Sequence, residues 1–162
     1  MQRFFPLAAA SLLLVTCVAV QAATFAGTVT HVSDGDSLWV RPASGGPPRE
    51  VRLRGVDAPE ICQRYGPQAR AALTAQALHQ QVRVASRARD SYHRTLAQVT
   101  MAGQDLGLWM VSRGHAWSYR FRGNPGPYAQ QEAQARKAGL GLWSGPAPVP
   151  PPEFRKRHGS CK

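Results

Sequence analysis

The 162-residue chain has nine acidic residues against 20 basic ones, and five of the nine fall between positions 34 and 60, four of them, Asp34, Asp36, Asp57 and Glu60, at the ends of the second and third expected strands. Carboxylates gathered in a basic protein repel one another unless something positive sits among them, and oxygen donors of this kind suit a hard divalent cation such as calcium. Asp34 and Asp36 also make an ordinary turn, and Asp57 and Glu60 an ordinary loop before Pro67, so residue type alone leaves both readings open. The basic side chains are 17 Arg to 3 Lys. Arginine's planar fork grips a phosphate at two points, where lysine offers a single charge. With a formal net charge of +11, the chemistry indicated is binding of a polyanion; a solvated basic face is the bland alternative. An apolar fraction of 43% excludes a disordered chain. His31, His79, His93, His115 and His158 are scattered without ligand spacing, which argues against a zinc-dependent hydrolase.

For these acids to act together, the elements around them must bring them to one place. Residues 24–32 alternate and carry β-branched side chains, 37–41 make a second strand, and 50–56 set Val51, Leu53 and Gly55 against Arg52, Arg54 and Val56. Residues 33–36 are a tight acidic turn, and 42–48, containing Ser44-Gly45-Gly46-Pro47-Pro48, are an exposed hairpin loop. Arg52 is solvent-facing in this pattern, and on the strands of a binding groove the solvent face is the ligand face. Pro67 opens a helix over 68–79, with Ala72, Leu73, Ala75, Ala77 and Leu78 as its apolar stripe. Strands over 82–85 and 96–101, a helix over 105–113 stopped by Gly114, and a helix over 128–137 ending at Gly139 complete the list. Three strands, a helix, two strands and a helix is the order of an OB fold. The expected class is therefore α+β, mainly β: a five-stranded barrel with about three helices. Residues 145–152 hold five prolines and read as an extended surface strap, leading into a basic tail that is mobile unless Cys161 pins it.

Residues 1–22 have the layout of a signal peptide: Arg3, an apolar run over 7–20, and Val20-Gln21-Ala22 before Ala23. The run spans about 21 Å as a helix, short of a bilayer core of roughly 30 Å, so a cleaved leader is expected rather than a stable membrane association. That reading makes the protein exported, periplasmic or secreted, with residues 23–144 as the domain and 145–162 as a Pro-rich basic tail. Cys62 and Cys161 survive such processing, and in an exported protein the pair fits one disulfide closing a loop of about 100 residues, two free thiols being the alternative. A bridge would draw Arg155-Lys156-Arg157-His158 toward the acidic loop. A barrel with this much charge has no evident reason to dimerise, and a monomer is expected.

Five segments carry a resemblance. Asp34-Gly35-Asp36-Ser37, then Arg52-Leu53-Arg54-Gly55-Val56-Asp57-Ala58-Pro59-Glu60, then Tyr65-Gly66-Pro67, then Asp90-Ser91-Tyr92-His93-Arg94-Thr95-Leu96-Ala97 and finally Glu132-Ala133-Gln134-Ala135-Arg136-Lys137 with Leu142-Trp143-Ser144 stand in register across residues 24–144. In order and spacing the set resembles the staphylococcal nuclease-like (thermonuclease) family. The resemblance implies an OB-fold nuclease that uses calcium to cleave phosphodiester bonds of DNA and RNA, typically leaving a 3′-phosphate. It implies Asp36, Asp57 and the backbone carbonyl of Ala58 as calcium ligands, with Asp34 close by. Glu60 would be the general base that activates water, and Arg52 and Arg94 the clamps on the phosphate. Tyr119 falls where the family places a nucleotide-contacting aromatic, although Trp117, Tyr119 and Phe121 are equally the alternating faces of an extended segment. Ser37 and Ala58 stand where threonine is common, and His93 where glycine is usual. The short connection from Glu60 to Tyr65 lacks the lysines that often line that loop, with Arg64 read as a partial substitute and a substrate contact. The rival of another class is an exported OB module that holds nucleic acid without cutting it; three acids in a groove meant for phosphates speak against it.

Overall fold

Strand β1 (Ala23–Val32) pairs on both flanks. Its second half lies antiparallel to β2 (Ser37–Pro42) and its first half antiparallel to β5 (Gln81–Arg89), with a register shift between Val29 and His31 that bends it. Gly27 belongs to both pairings, and a Cβ there would run into the Arg41 carbonyl and the Val40 side chain. The computed structural model describes residues 23–90, 92–159 and 161, so the leader expected over 1–22 lies outside the described residues.

β3 (Arg49–Leu53) pairs antiparallel with β2 and parallel with β6 (Thr95–Met101), which returns antiparallel to β5. These contacts close β1, β2, β3, β6 and β5 into a five-stranded OB barrel of the α+β class, with β7 (Gln104–Asp105) added beside β6. Inward alternation fills the barrel with Val29, Leu38, Val40, Val51, Leu53, Val84 and Val99, all buried. Helix α1 (Gly66–Ala77) adds Ala69, Leu73 and Ala77, an i, i+4, i+8 stripe. Ala75, expected in that stripe, is exposed because the stripe is one residue wide per turn. Helix α2 (Leu106–Ser112) adds Leu106, Met110 and Val111, its N-terminus capped by Asp105, which accepts from the Gly107 and Leu108 N–H groups.

The structure departs from the sequence pattern at two places that matter for the groove. The strand expected over 50–56 stops at Leu53, because Gly55 turns to φ +77 and packs where Pro127 leaves no room for a Cβ. The chain resumes as β4 (Val56–Asp57), antiparallel to β8 (Trp117–Ser118). The strap expected to be extended instead ends in a fourth helix, α4 (Pro151–His158), after α3 (Ala129–Lys137) and a 3₁₀ turn at Gly141–Trp143. Proline blocks a helix interior but suits its first turn, where its missing N–H has no partner to lose. Pro150 closes that turn by accepting the Glu153 and Phe154 N–H groups at 3.0 Å. Among the described residues no helix is long and apolar enough to cross a membrane.

Candidate active site

Both acid pairs meet because β3 ends against the β1–β2 turn. The Asp36 carbonyl accepts the Leu53 N–H at 2.8 Å, and Asp34 Oδ1 accepts the Asp36 N–H at 2.9 Å. Arg52 then donates from Nη1 to Asp36 Oδ1 at 2.5 Å and from Nη2 to Asp57 Oδ1 at 3.1 Å, so one guanidinium spans two carboxylates that are 2% and 4% exposed. Asp36 Oδ2 takes the Ala58 N–H at 2.9 Å and Asp36 Oδ1 the Ser37 hydroxyl at 3.0 Å. Every oxygen of Asp36 is thereby aimed. The cluster floors a groove of about 880 Å³ whose walls include Asp34, Glu60, Arg94 and Tyr119.

Arg94 reaches the groove from the other side of the barrel closure. The parallel pairing sets Arg52 opposite Leu96, two positions beyond Arg94. Asp90 holds the turn before it: Oδ1 accepts the Tyr92 and Arg94 N–H groups at 2.9 and 3.0 Å, and Oδ2 accepts Arg94 Nε at 2.7 Å. His93 sits at φ +63, the left-handed conformation that glycine supplies more cheaply, and its N–H bonds the Asp90 carbonyl. The Arg94 guanidinium lies 5.3 Å from the centre of the Tyr92 ring, which is 75% exposed. Asp90 and Tyr92 stand in one of the resembling segments but carry no role in the sequence reading; the signal for Asp90 is an acid four residues before an arginine in a turn-forming stretch.

Glu60 stands on the loop between β4 and α1 and bonds Arg155 of α4, Oε1 to Nη1 at 2.5 Å. A disulfide joins Cys62 in this loop to Cys161 beyond α4, and Gln63 ties the loop to the strap by donating to the Val149 carbonyl at 2.6 Å. Arg64 does not reach the groove. Its side chain lines a separate pocket of about 280 Å³ with Leu142 and Phe154, and Arg155, not Arg64, brings positive charge to Glu60. The reason is the turn into α1, which directs Arg64 away from the acids while the disulfide brings the tail to them. Tyr119, just after β8, lines the groove half-exposed, its N–H on the Gly55 carbonyl; Phe121 belongs to a short bridge with Asn124 and is not among the groove's lining.

Burial and the nearby Asp36 charge push the Asp34 carboxyl up to about 7 and the Asp57 carboxyl up to about 6. Burial works against the Arg52 charge, yet Asp36, Asp57 and Asp34 outweigh it and hold the guanidinium protonated. The buried cluster thus carries more negative charge than its arginine offsets, and it presents hard oxygen donors. That is the chemistry of a divalent-cation site. Among the described residues no three His, Cys, Asp or Glu side chains converge as a ready-made metal cage.

Fold and groove together define the class, an OB-fold barrel with a groove lined by carboxylates and arginines. The family described as Staphylococcal nuclease homologue matches residues 50–145 of the chain. The Uncharacterized endonuclease of Haemophilus influenzae is 35% identical over 129 residues, covering 80% of this chain and 72% of its own. Micrococcal nuclease of Shigella flexneri is 35% identical over 159 residues, covering 91% and 90%. Protein ParB of Escherichia coli is 35% identical over 162 residues, covering 93% and 90%. The chain belongs to the staphylococcal nuclease-like family.

Proposed function

We propose that the protein is a calcium-dependent nuclease that hydrolyses phosphodiester bonds of DNA or RNA by in-line attack of water, leaving 3′-phosphates. The observation that carries this reading is Arg52 spanning the buried Asp36 and Asp57 on the floor of the groove that Arg94 and Glu60 also line. In this reading Asp36, Asp57 and the Ala58 carbonyl hold the calcium, which when bound supplies positive charge to the phosphate oxygens. Arg52 and Arg94 bind the same phosphate, and their donors gain most as charge builds in the transition state. Glu60 takes the proton from the attacking water; it is a carboxylate near the cluster yet free of Arg52. Tyr119 offers a face for base stacking, a contact indifferent to sequence. The Cys62–Cys161 bridge supports an oxidising destination, in keeping with a leader cleaved after Ala22 and residence in the periplasm or the medium as a monomer.

The test is digestion of single-stranded DNA by the purified protein with calcium or with chelator, beside Glu60→Gln. Calcium-dependent cleavage that is lost in the variant while binding is retained supports the reading. Tight, salt-sensitive binding with no cleavage in any metal would make the protein a nucleic-acid-holding OB module instead.

A further inference from the structure

The C-terminal helix does more than cover a surface. Four basic side chains follow one another at its end, and the structure gives three of them different tasks. Arg157 pairs with Glu153 at 3.6 Å on the helix itself, and the His158 ring lies 4.6 Å from that of Phe154. Arg155 turns into the groove, Nη1 at 2.5 Å from Glu60 Oε1 and 3.9 Å from Asp57 Oδ1. Its side chain stays 36% exposed on the groove wall, and the bond to Glu60 engages only Nη1 of a guanidinium that carries five N–H donors.

This placement is held at both ends. Gln63, itself 5% exposed, accepts the Glu60 N–H at 3.2 Å and donates to the Val149 carbonyl, which fixes the strap just before α4. Past α4, Cys161 is bonded to Cys62, one position from Gln63. Both fastenings sit on the loop that carries Glu60, so the backbone of α4 is held beside that loop and keeps the Arg155 side chain within reach of Glu60 and the groove. A groove lined by this many carboxylates repels a polyanion, and an arginine delivered onto its acidic rim offsets that repulsion while keeping donors free for an oxyanion.

We propose that Arg155 is a third phosphate-contacting arginine, supplied by the C-terminal helix, held in place by the Cys62–Cys161 bridge and reaching a phosphate next to the one between Arg52 and Arg94. The inference rests on the nuclease reading above and deepens it: substrate affinity depends on the redox state of a bond outside the barrel.

The test is fluorescence anisotropy of a labelled oligothymidylate in chelator across a salt series, with cleavage in calcium measured in parallel. Arg155→Ala raises Kd roughly five- to tenfold near 0.1 M salt, as expected for a half-exposed charge-assisted contact. It also makes the slope of log K against log salt shallower by about 0.7, one phosphate contact on a single strand. Arg155→Lys restores the slope but only part of the affinity. Dithiothreitol weakens the parent by the same factor and leaves Arg155→Ala unaffected, because the two changes remove one interaction. In cleavage, KM rises more than kcat falls. An unchanged Kd and slope in Arg155→Ala, with the parent still cleaving, overturns the proposal and leaves the nuclease reading standing. Faster turnover in Arg155→Ala or after reduction also overturns it, making Arg155 a shield on Glu60. A parent that neither cleaves nor binds removes both.

Discussion

Asp90 grips Arg94 at both ends: one carboxylate oxygen accepts the arginine's backbone N–H at 3.0 Å and the other its Nε at 2.7 Å. Burial alone would raise the Asp90 carboxyl, but the hydrogen bonds and charge of Arg94 prevail and hold it below the usual 3.8. The acid's job is to aim the arginine. Asp90→Asn keeps the backbone acceptor and loses the charged one, so kcat/KM should fall about tenfold, a loss of orientation rather than of fold. Steady-state kinetics beside a thermal melt check this; a melting midpoint that drops while activity per folded molecule is unchanged would refute the positioning role. The lowered carboxyl makes its contribution in full above pH 3.8 and loses it as pH falls through the folded value.

A cation that binds the folded groove and not the unfolded chain must stabilise the protein. At a hundredfold excess over its dissociation constant, calcium should add about 2.7 kcal/mol, or roughly 5–11 °C in Tm for a domain of this size. Chelator should remove the gain, and Asp36→Asn should abolish it, since Asp36 anchors Arg52, Ala58 and Ser37 in one cluster. Differential scanning calorimetry with and without calcium gives the answer. An equal calcium shift in Asp36→Asn would place the ion elsewhere.

Local pattern made the barrel legible, because strand alternation and the Gly- and Pro-marked turns each act within a few residues. The same holds for Asp36 and Asp57, which sit at strand ends that the pattern locates, while Arg52 and Arg94 take their role from the resemblance, and the structure gathers all four around one groove. What escaped was set by distant contacts. The break at Gly55 depends on Pro127, 72 positions on, and no alternation in residues 50–56 announces it. The expectation for the tail rested on proline as a helix breaker, whereas Pro151 and Pro152 stand where proline begins one. Arg64 reads as a substrate contact from its closeness to Glu60 in sequence yet points elsewhere, whereas the approach of Arg155 to that loop followed only if Cys62 and Cys161, 99 positions apart, were bridged, as they are.

Away from the groove, His115 is packed against the Tyr65 ring and near Trp109, with Nδ1 3.0 Å from the Tyr65 hydroxyl. Burial first, and the Arg113 charge second, keep its pKa below the usual 6.5. The unfolded chain therefore takes up a proton before the folded one does. Stability that is complete above pH 6.5 is lost as pH falls from there to the folded value. The parent should lose stability between pH 7.5 and 5 more steeply than His115→Gln, which retains a polar partner for Tyr65 without the titration. Urea denaturation at several pH values measures the difference, and parallel slopes for the two proteins would refute it.

Glu132 is a carboxylate at 1% exposure in a chain with few acids to spare, and it works for the groove at one remove. It accepts the Ser118 N–H at 2.8 Å, Arg120 Nη2 at 2.7 Å and Arg136 Nε at 2.8 Å. Ser118 belongs to β8, whose partner β4 carries Asp57, so the acid of α3 braces the strand pair that presents Asp57 to Arg52. Glu132→Leu keeps much of the volume but removes both oxygens, so the Ser118 N–H and the arginines lose their acceptor together. Both arginines are about half exposed and find water, so their loss counts for little, whereas the buried Ser118 N–H has no solvent to turn to. The expected cost is about 1–2 kcal/mol in urea denaturation, from one strained or unmet backbone donor. Calcium should recover less stability in this variant than in the parent, because the strand pair under Asp57 is looser. A variant within 0.5 kcal/mol of the parent, roughly the limit for a neutral surface change, would mean that β8 is held by its pairing with β4 alone.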